Sequence, residues 1–258
     1  MTTPFEKKSN EQWVYGLHAV TALLNNRQRS IKQIFINQNR QDARMLIILK
    51  QIQQQSIPHL FLSATQMALQ FSEAVHQGIV ALAEPLPHYH EKDIDYLLQK
   101  KTTTPFILIL DGITDPHNLG ACLRSAEAAG VDFVILPKDK SAPVTAVVSK
   151  VACGAAEAIP IIRVTNLVRT MELLKQQGIW IYGAAGEAQA SVYTLEGNSP
   201  LALVLGAEGE GLRRLTREHC DGLFSIPMLG TVTSLNVSVA TGVCLFEIVR
   251  QRQSQQSQ

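Results

Sequence analysis

The chain has 258 residues and a formal net charge of +1, with 46% hydrophobic and 17% charged side chains. This length suits one or two domains, and the composition excludes intrinsic disorder and collagen-like repeats. No apolar run approaches the ~20 residues of a membrane span, and the N-terminal residues lack the apolar stretch of a secretory signal. The four cysteines are far apart, so we expect a cytoplasmic protein without disulfides, a metal site or a membrane segment.

Alternating hydrophobic patterns predict a small α/β domain over residues 12–85, after a tail at 1–11. Two prolines in the stretch 84–90 then break the pattern, which predicts a linker over 86–104. The predicted elements are a helix at 17–25, a strand at 31–36, a helix at 43–54, a strand at 60–62, a helix at 65–71 and a strand at 78–83.

Continuous apolar runs mark the second domain, which we place at 105–252 before a polar tail at 253–258. Such strands, alternating with helices, predict a mostly parallel sheet that helices cover on both faces. A helix predicted over 235–250 is apolar on most sides, so we expect it in the core or in a subunit contact. The runs lie at 106–110, 133–136, 179–182 and 201–205, with helices predicted at 119–129, 144–155 and 167–177.

The near-zero net charge averages a basic part and an acidic part. Residues 1–85 carry eight basic and five acidic side chains, whereas residues 105–258 carry twelve basic and fourteen acidic ones. The stretch 27–50 holds six basic residues and one acid. It is either an ordinary solvated helix face or a surface that contacts phosphates. The second interpretation selects Arg27, Arg29 and Arg40.

A polar loop, Asp111 to Gly120, follows the first strand of the second domain. Turn chemistry and capping by Asp115 or Asn118 explain much of its composition. They do not explain Arg124, a cation within an otherwise apolar helix, for which the alternative is an arginine that simply faces solvent. Parallel sheets bind ligands at the carboxyl ends of their strands, so this loop is a candidate site.

A glycine-rich loop, Gly206 to Gly211, follows the strand at 201–205. The dinucleotide fingerprint fails here, because Arg214 stands where the third glycine belongs, and no Walker motif is present. Glu208 and Glu210 would repel a pyrophosphate but tolerate a cationic ligand such as a sulfonium. A plain tight turn is the alternative.

A third segment runs from Phe224 to Ser238. Ser234 suits the N-cap of the last helix, whereas Asn236, among apolar residues, has no such simple explanation. A nucleophile elbow is missing, because the chain has no G-x-S-x-G motif. The order and spacing of the three segments within one chain are more specific than any one of them.

Together these segments resemble the three motifs of the SpoU (TrmH-like) family of RNA ribose 2′-O-methyltransferases. The N-terminal stretch YGLHAVTALL also looks like that family's ribosomal-protein-like substrate-binding domain. Within the family, KVACGAAE, RVTNL and LTREHCD look most like the enzymes that methylate a guanosine in the P loop of 23S rRNA. The matching stretches are DGITDPHNLGACLRSAEAAGVD, LALVLGAEGEGL and SIPMLGTVTSLNVSVATGVCLFE.

The resemblance implies a C-terminal α/β domain with a trefoil knot, S-adenosylmethionine as cofactor, and a homodimer. It implies 23S rRNA or a large-subunit assembly particle as partner, without a membrane or a metal. Arg124 would act as base, as electrostatic stabiliser or as phosphate ligand. The residues that would assist it are Asn118, Glu208, Ser234 and Asn236, and the cofactor contacts would be Leu205, Gly206, Gly211, Ile226, Met228 and Leu235.

Three alternatives stay open at the level of sequence. The same reaction on transfer RNA is the nearest one. A non-catalytic RNA-binding assembly factor belongs to a different class, but such a protein would be expected to lack Arg124, Glu208 or Asn236. A nucleotide-dependent dehydrogenase fits the α/β pattern and fails on the glycine fingerprint.

Overall fold

The computed structural model describes residues 11–26, 29–72, 75–87, 89–207 and 209–256. The chain forms two compact units. Unit 1 is Met1–Pro87 together with Thr145–Ala158, and unit 2 is His88–Val144 together with Ile159–Gln258. Unit 1 is therefore discontinuous in sequence, which the predicted boundary at residue 85 did not anticipate. No helix among the described residues is long and apolar enough to cross a membrane.

Unit 1 is built on a four-stranded sheet with the order β1-β4-β2-β3. Strand β4 pairs antiparallel with both β1 and β2, and β3 runs parallel to β2. Its strands are β1 (Gln12–Tyr15), β2 (Ile31–Asn37), β3 (His59–Leu62) and β4 (Ile79–Ala83). Its helices are α1 (Leu17–Asn25), α2 (Ala43–Gln54), α3 (Ala64–Gln70), α6 (Ala146–Val151) and α7 (Ala155–Ala158).

Both faces of the unit 1 sheet are covered by apolar helix faces. Helix α2 begins where the Asp42 carboxylate accepts hydrogen bonds from the backbone N–H groups of Arg44 and Met45. Its buried residues Met45, Ile48 and Ile52 recur at helical spacing and join the core beside α1. On the opposite face, Met67 of α3 packs in a second cluster that includes Phe35 and Phe71.

A buried ion pair fixes α7 within unit 1. The Arg29 guanidinium and the Glu157 carboxylate form it, with side chains 0% and 1% exposed. Arg29 also donates to the backbone carbonyl of Glu84 at 2.7 Å, and the Asn26 amide donates to the backbone carbonyl of Glu157. Burial raises the pKa of Glu157 above its ordinary value, although Arg29 acts in the opposite direction. A buried pair of this kind destabilises the fold strongly when one partner is removed.

The helix predicted over 144–155 is interrupted in the structure. Cys153 and Gly154 both have positive φ, at 51° and 95°, so the helical path ends at this point and resumes as α7. A Cβ atom at Gly154 would lie 2.6 Å from the Cβ of Ala22. Only glycine therefore allows this turn to lie directly on α1.

Unit 2 is a six-stranded, fully parallel sheet with the order β10-β8-β9-β5-β6-β7. This confirms the predicted sheet and helix alternation. Its strands are β5 (Phe106–Asp111), β6 (Phe133–Pro137), β7 (Ile161–Val164), β8 (Trp180–Ala184), β9 (Leu201–Gly206) and β10 (Gly222–Phe224). Its helices are α4 (Ile94–Gln99), α5 (Pro116–Ala128), α8 (Leu167–Gln176), α9 (Arg214–Glu218) and α10 (Val237–Gln256).

The predicted linker 86–104 is partly wrong, because much of it folds into unit 2. Residues Glu91–Asp93 form a 3₁₀ turn that leads into α4, and Ile94 and Leu97 of α4 are buried in the core with α8. The apolar spacing within a six-residue helix is too short to be recognised by periodicity.

Helix α10 differs from its prediction at both ends. It begins at Val237 rather than 235 and continues to Gln256, beyond the predicted tail boundary. The Arg252 guanidinium holds its C-terminal part by donating to the carbonyls of Thr104, Pro105, Gly197 and Ser199. The helix packs against α5 and β9, yet Val239 and Phe246 stay 52% and 49% exposed. One side of α10 is thus outside the core.

Glu157→Gln is predicted to lower the free energy of unfolding of unit 1 by about 3–5 kcal/mol, because it leaves the Arg29 guanidinium buried without its carboxylate. The measurement is urea unfolding followed by fluorescence. Trp13 lies in unit 1 and Trp180 in unit 2, and these are the two tryptophans of the chain, so a Trp180→Phe background reports unit 1 alone.

Lys32→Gln is the matched control, because it breaks an ion pair with Glu84 in which both side chains are more than 40% exposed. We expect this control to change the same free energy by no more than about 1 kcal/mol. Equal effects of the two substitutions would contradict a structural role for the buried pair.

Candidate functional site

The carboxyl edge of the unit 2 sheet collects the segments selected from the sequence. All six strands are parallel, so the loops after β5, β9 and β10 leave the sheet at this one edge. These loops are residues 112–115, 207–213 and 225–236. The first leads into α5 and the third into α10, and these two helices pack together.

Asn118 and Asn236 lie in hydrogen-bond contact although they are far apart in sequence. The Asn236 side-chain amide donates to Oδ1 of Asn118 at 3.0 Å. Asn118 is in the first turn of α5, which begins after Asp115 accepts from the His117 N–H at 2.9 Å. The first and third motifs are therefore joined by a direct contact between their asparagines.

Asn236, rather than Ser234, occupies the N-cap of α10. Its Oδ1 atom accepts from the Ser238 backbone N–H at 3.0 Å, and its carbonyl accepts from the Ala240 N–H. Ser234 is exposed two residues before this cap, so its predicted capping role is wrong. Asn236 thus combines a structural role with the contact to Asn118.

Arg124 lies on the exposed side of α5, two residues after the buried Cys122. It is six residues beyond Asn118, which places the two Cα atoms about 9 Å apart along the helix axis. The structure therefore puts Arg124 on the same helix as the asparagine contact, with its side chain accessible to a macromolecular ligand.

The loop Gly206–Gly211 folds back on itself. The Gly211 N–H donates to the Ala207 carbonyl at 2.9 Å, and a Cβ atom at Gly206 would lie 2.1 Å from the Gly211 backbone. Any side chain at Gly206 would thus open the loop. Gly209 and Gly211 have φ values of 81° and 68°, and a Cβ at either would meet open space, so backbone is accessible there.

Asp111, for which the sequence predicts no role, fastens this loop to β5. It is the last residue of β5, in register with Gly206, and its carboxylate is fully buried. That carboxylate accepts from the backbone N–H of Arg213 at 3.0 Å and from Arg213 Nε at 2.5 Å. One acid therefore connects both ends of the loop. An acid directly after five apolar strand residues was the available signal, since a buried charge needs a partner.

The remaining residues selected for cofactor contact lie around the same edge. Leu205 is buried at the end of β9, and Ile226, Met228 and Leu235 are half-buried in the loop between β10 and α10. The sequence prediction for Glu208 falls outside the described residues. Half-buried apolar side chains and accessible glycine backbone, both at this edge, are the kinds of groups that line sites for flat heteroaromatic rings.

The three arginines selected for RNA contact have different surroundings. Arg27 lies outside the described residues. The prediction that Arg29 contacts RNA is wrong, because its guanidinium is buried in the ion pair with Glu157 and cannot reach a phosphate. Arg40 is 29% exposed and pairs with Asp42 at 2.6 Å. A basic residue in a charged stretch can thus be a structural ion-pair partner, which charge counting does not reveal.

Covalent catalysis by Cys122, Cys220 or Cys244 does not fit this structure. Burial raises the pKa of the Cys122 thiol to about 11, and it raises those of Cys220 and Cys244 to about 12. These thiols are neutral and poor nucleophiles at neutral pH. Among the residues in the described ranges, no cluster of histidine, cysteine and acidic side chains could hold a metal ion.

Comparison with known proteins matches both parts of the chain. Residues 105–246 match the SpoU rRNA Methylase family, and residues 13–89 match the RNA 2′-O ribose methyltransferase substrate binding domain. The 23S rRNA (guanosine-2′-O-)-methyltransferase RlmB of Escherichia coli K12 is 54% identical over 93% of this chain and 99% of its own length. The enzyme of the same name from Haemophilus ducreyi is 56% identical over 93% of this chain and 98% of its own length.

A solved structure shares the fold at low sequence identity. The SpoU methyltransferase AviRb from Streptomyces viridochromogenes, in complex with AdoMet, superposes with a TM-score of 0.78. The match covers 95% of this chain and 92% of AviRb, at 22% identity. Coverage of both units, together with more than 50% identity to curated relatives, leads to one conclusion. The chain belongs to the SpoU rRNA methylase family.

Proposed function

We propose that this protein transfers a methyl group from S-adenosylmethionine to the ribose 2′-hydroxyl of a guanosine in 23S rRNA. The observation that supports this most directly is 54% identity, over 93% of the chain, to an enzyme named for that reaction. The accompanying contact between Asn118 and Asn236 joins two of the motifs that the reaction would use. The P-loop guanosine as target, and a cytoplasmic location, are parts of the same proposal.

The residues at the carboxyl edge fit S-adenosylmethionine. Ile226, Met228 and Leu235 would pack on the adenine ring, and the accessible backbone of Gly209 and Gly211 would accept close approach. The charge of the Asp111 carboxylate is neutralised by Arg213. The remaining charge of the loop comes from the exposed Glu210 and is negative. A negative loop suits a sulfonium and would disfavour a pyrophosphate.

In this mechanism the chain mainly positions two reactants. S-adenosylmethionine, when bound, supplies an electrophilic methyl group on a sulfonium. The 2′-oxygen forms a bond to that methyl carbon in line with the breaking carbon–sulfur bond, so orientation supplies much of the rate. The Arg124 guanidinium would stabilise the negative charge that develops on the 2′-oxygen, while the hydroxyl proton leaves to solvent. Asn118 and Asn236 hold the ends of α5 and α10 in register with this cation.

We also propose that the protein is a homodimer through α10. Val239 and Phe246 are about half exposed and seven residues apart, so they lie on one side of the helix with Val243 between them. Large exposed apolar side chains that share one face are typical of protein contacts. Helix α10 begins directly after Asn236, so a contact through Val239 would lie near the site.

The proposed reaction predicts that the purified protein methylates 23S rRNA transcribed in vitro, detected as 2′-O-methylguanosine by nucleoside mass spectrometry. Arg124→Ala is expected to lower the rate about 10²–10³-fold or more, because it removes the stabilising cation. The exposed position of Arg124 predicts a change in unfolding free energy within about 0.5 kcal/mol and cofactor affinity within a few-fold. Methylation of tRNA with unmodified rRNA would overturn the substrate, and full activity of the variant would overturn the role of Arg124.

Asp111→Asn is predicted to raise the Kd for S-adenosylmethionine about tenfold or more, measured by calorimetric titration. The substitution weakens charge-assisted bonds to Arg213, worth about 1.5–3 kcal/mol, that hold the glycine loop.

Asp132→Asn is the matched control at the opposite end of β5, where Asp132 accepts from the Phe106 N–H at 2.8 Å and pairs with Lys101. We expect this control to lower stability and leave cofactor affinity unchanged. An equal rise in Kd for both variants would mean that loss of stability, rather than the loop, controls binding.

Phe246→Glu is predicted to convert a dimer to a monomer, measured by size-exclusion chromatography with light scattering, because it places a charge in an apolar contact. Leu69→Glu is the control, since Leu69 is an apolar side chain that is 84% exposed on α3 of unit 1. A monomeric parent protein, or a dimer that persists in Phe246→Glu, would contradict the α10 interface.

A further inference from the structure

Unit 2 carries a basic groove at its β7 end that none of the three motifs accounts for. It has a volume of about 660 Å³ and lies between the segment 90–95 and helix α8. Four of its lining residues are cationic and two are acidic. The cations are Lys92, Lys138, Arg163 and Arg169, and the acids are Glu91 and Asp95.

The two acids of this groove already have partners within it. Both oxygens of Glu91 accept from the Arg169 guanidinium, and Asp95 accepts from the Gln177 amide at 3.4 Å. Glu91 is 17% exposed on its side chain, whereas Arg169 is 61% exposed. The Glu91–Arg169 pair cancels one charge of each sign, so three cations and Asp95 remain and the groove stays basic.

The remaining cations are available to an outside ligand. Lys92 and Lys138 are exposed, and neither has an ion pair with any acid in the described part of the chain. Arg163 uses one amino group to donate to the Lys138 carbonyl at 2.9 Å, which fixes its guanidinium at this edge. Two lysines and a positioned guanidinium are the donor set that proteins use for phosphate groups.

One part of the groove lies at the same edge of the sheet as the candidate site. The Lys138 N–H donates to the Val164 carbonyl at the end of β7, and the Ala142 N–H donates to the Ile113 carbonyl beyond β5. The turn 138–142 thus connects the two places. Strands β5 and β7 are separated only by β6, which corresponds to about 10 Å across the sheet.

We propose that this groove binds the phosphate backbone of the substrate RNA beside the methylated nucleotide, as a second RNA contact on unit 2. This inference rests on the proposed function. RNA suits the groove better than an isolated anion does, because its four cations come from separate segments along an open groove, one part of which lies at the carboxyl edge of the sheet. Phosphate contacts of this kind fix the register of a nucleic acid without reading its sequence.

The test compares two double variants of the full-length protein for binding to 23S rRNA transcribed in vitro. Lys92→Gln with Lys138→Gln removes two charges from the groove. Lys100→Gln with Lys101→Gln removes two charges at the opposite, amino edge of the sheet, where Lys101 pairs with Asp132. Binding is measured over a series of KCl concentrations, and calorimetric titration with S-adenosylmethionine reports whether the site stays intact.

We expect the groove variant to bind RNA about tenfold more weakly. The magnitude of the slope of log K against log[salt] should fall by about 1.4–1.8, because two phosphate contacts are lost and each contributes equally to the slope. The amino-edge variant should retain the parent slope, and both should retain cofactor affinity. Equal slopes for the two variants would overturn the inference. The groove would then bind a ligand other than RNA, such as a protein partner or free phosphate. Failure of the parent protein to methylate RNA would separately overturn the proposed function.

Discussion

The parallel direction of all six strands in unit 2 is the constraint on which the candidate site depends. Because the strands are parallel, every segment that follows a strand leaves the sheet at the same edge. Asn118, the glycine loop and Asn236 come from three distant parts of the sequence, yet this rule alone brings their segments to one place. The hydrogen bond between Asn118 and Asn236 then fixes the relative position of α5 and α10. The basic groove shares the same origin, since Lys138 follows β6 and Thr165 follows β7.

Buried charge fixes the backbone in both units. Asp111 in unit 2 and Glu157 in unit 1 are each buried, and each is paired with an arginine that lies far away in sequence. Burial of a carboxylate is unfavourable, so each acid stabilises only the backbone arrangement that brings its donors to it. In unit 2 that arrangement is the closed glycine loop, and in unit 1 it is the attachment of α7. Loops that would otherwise sample many conformations are thereby held in one.

Local patterns in the sequence predicted most elements, and long-range contacts explain what was missed. The helix at 17–25 and the strands at 106–110 and 201–205 agree with the structure within a residue, because their periodicity is strong. Helix α4 and strand β10 are too short to give such a signal. Arg29 was selected by charge alone, and only its distant partner Glu157 reveals it as structural. At the site, the motifs identified Asn118 and Asn236, whereas the role of Asp111 depends on an arginine 102 residues later. The trefoil knot and the cofactor contacts stay predictions.

The discontinuous composition of unit 1 limits how this protein can be divided or recombined. A gene fragment that ends at Pro87 encodes all four strands of the sheet but not the carboxylate of Glu157. The Arg29 guanidinium would then be left without its counter-charge, and α1 would lose the cover that Gly154 allows. A module cut at the apparent domain boundary is therefore expected to fold poorly. Exchange of this module between family members requires that residues 145–158 be exchanged with it.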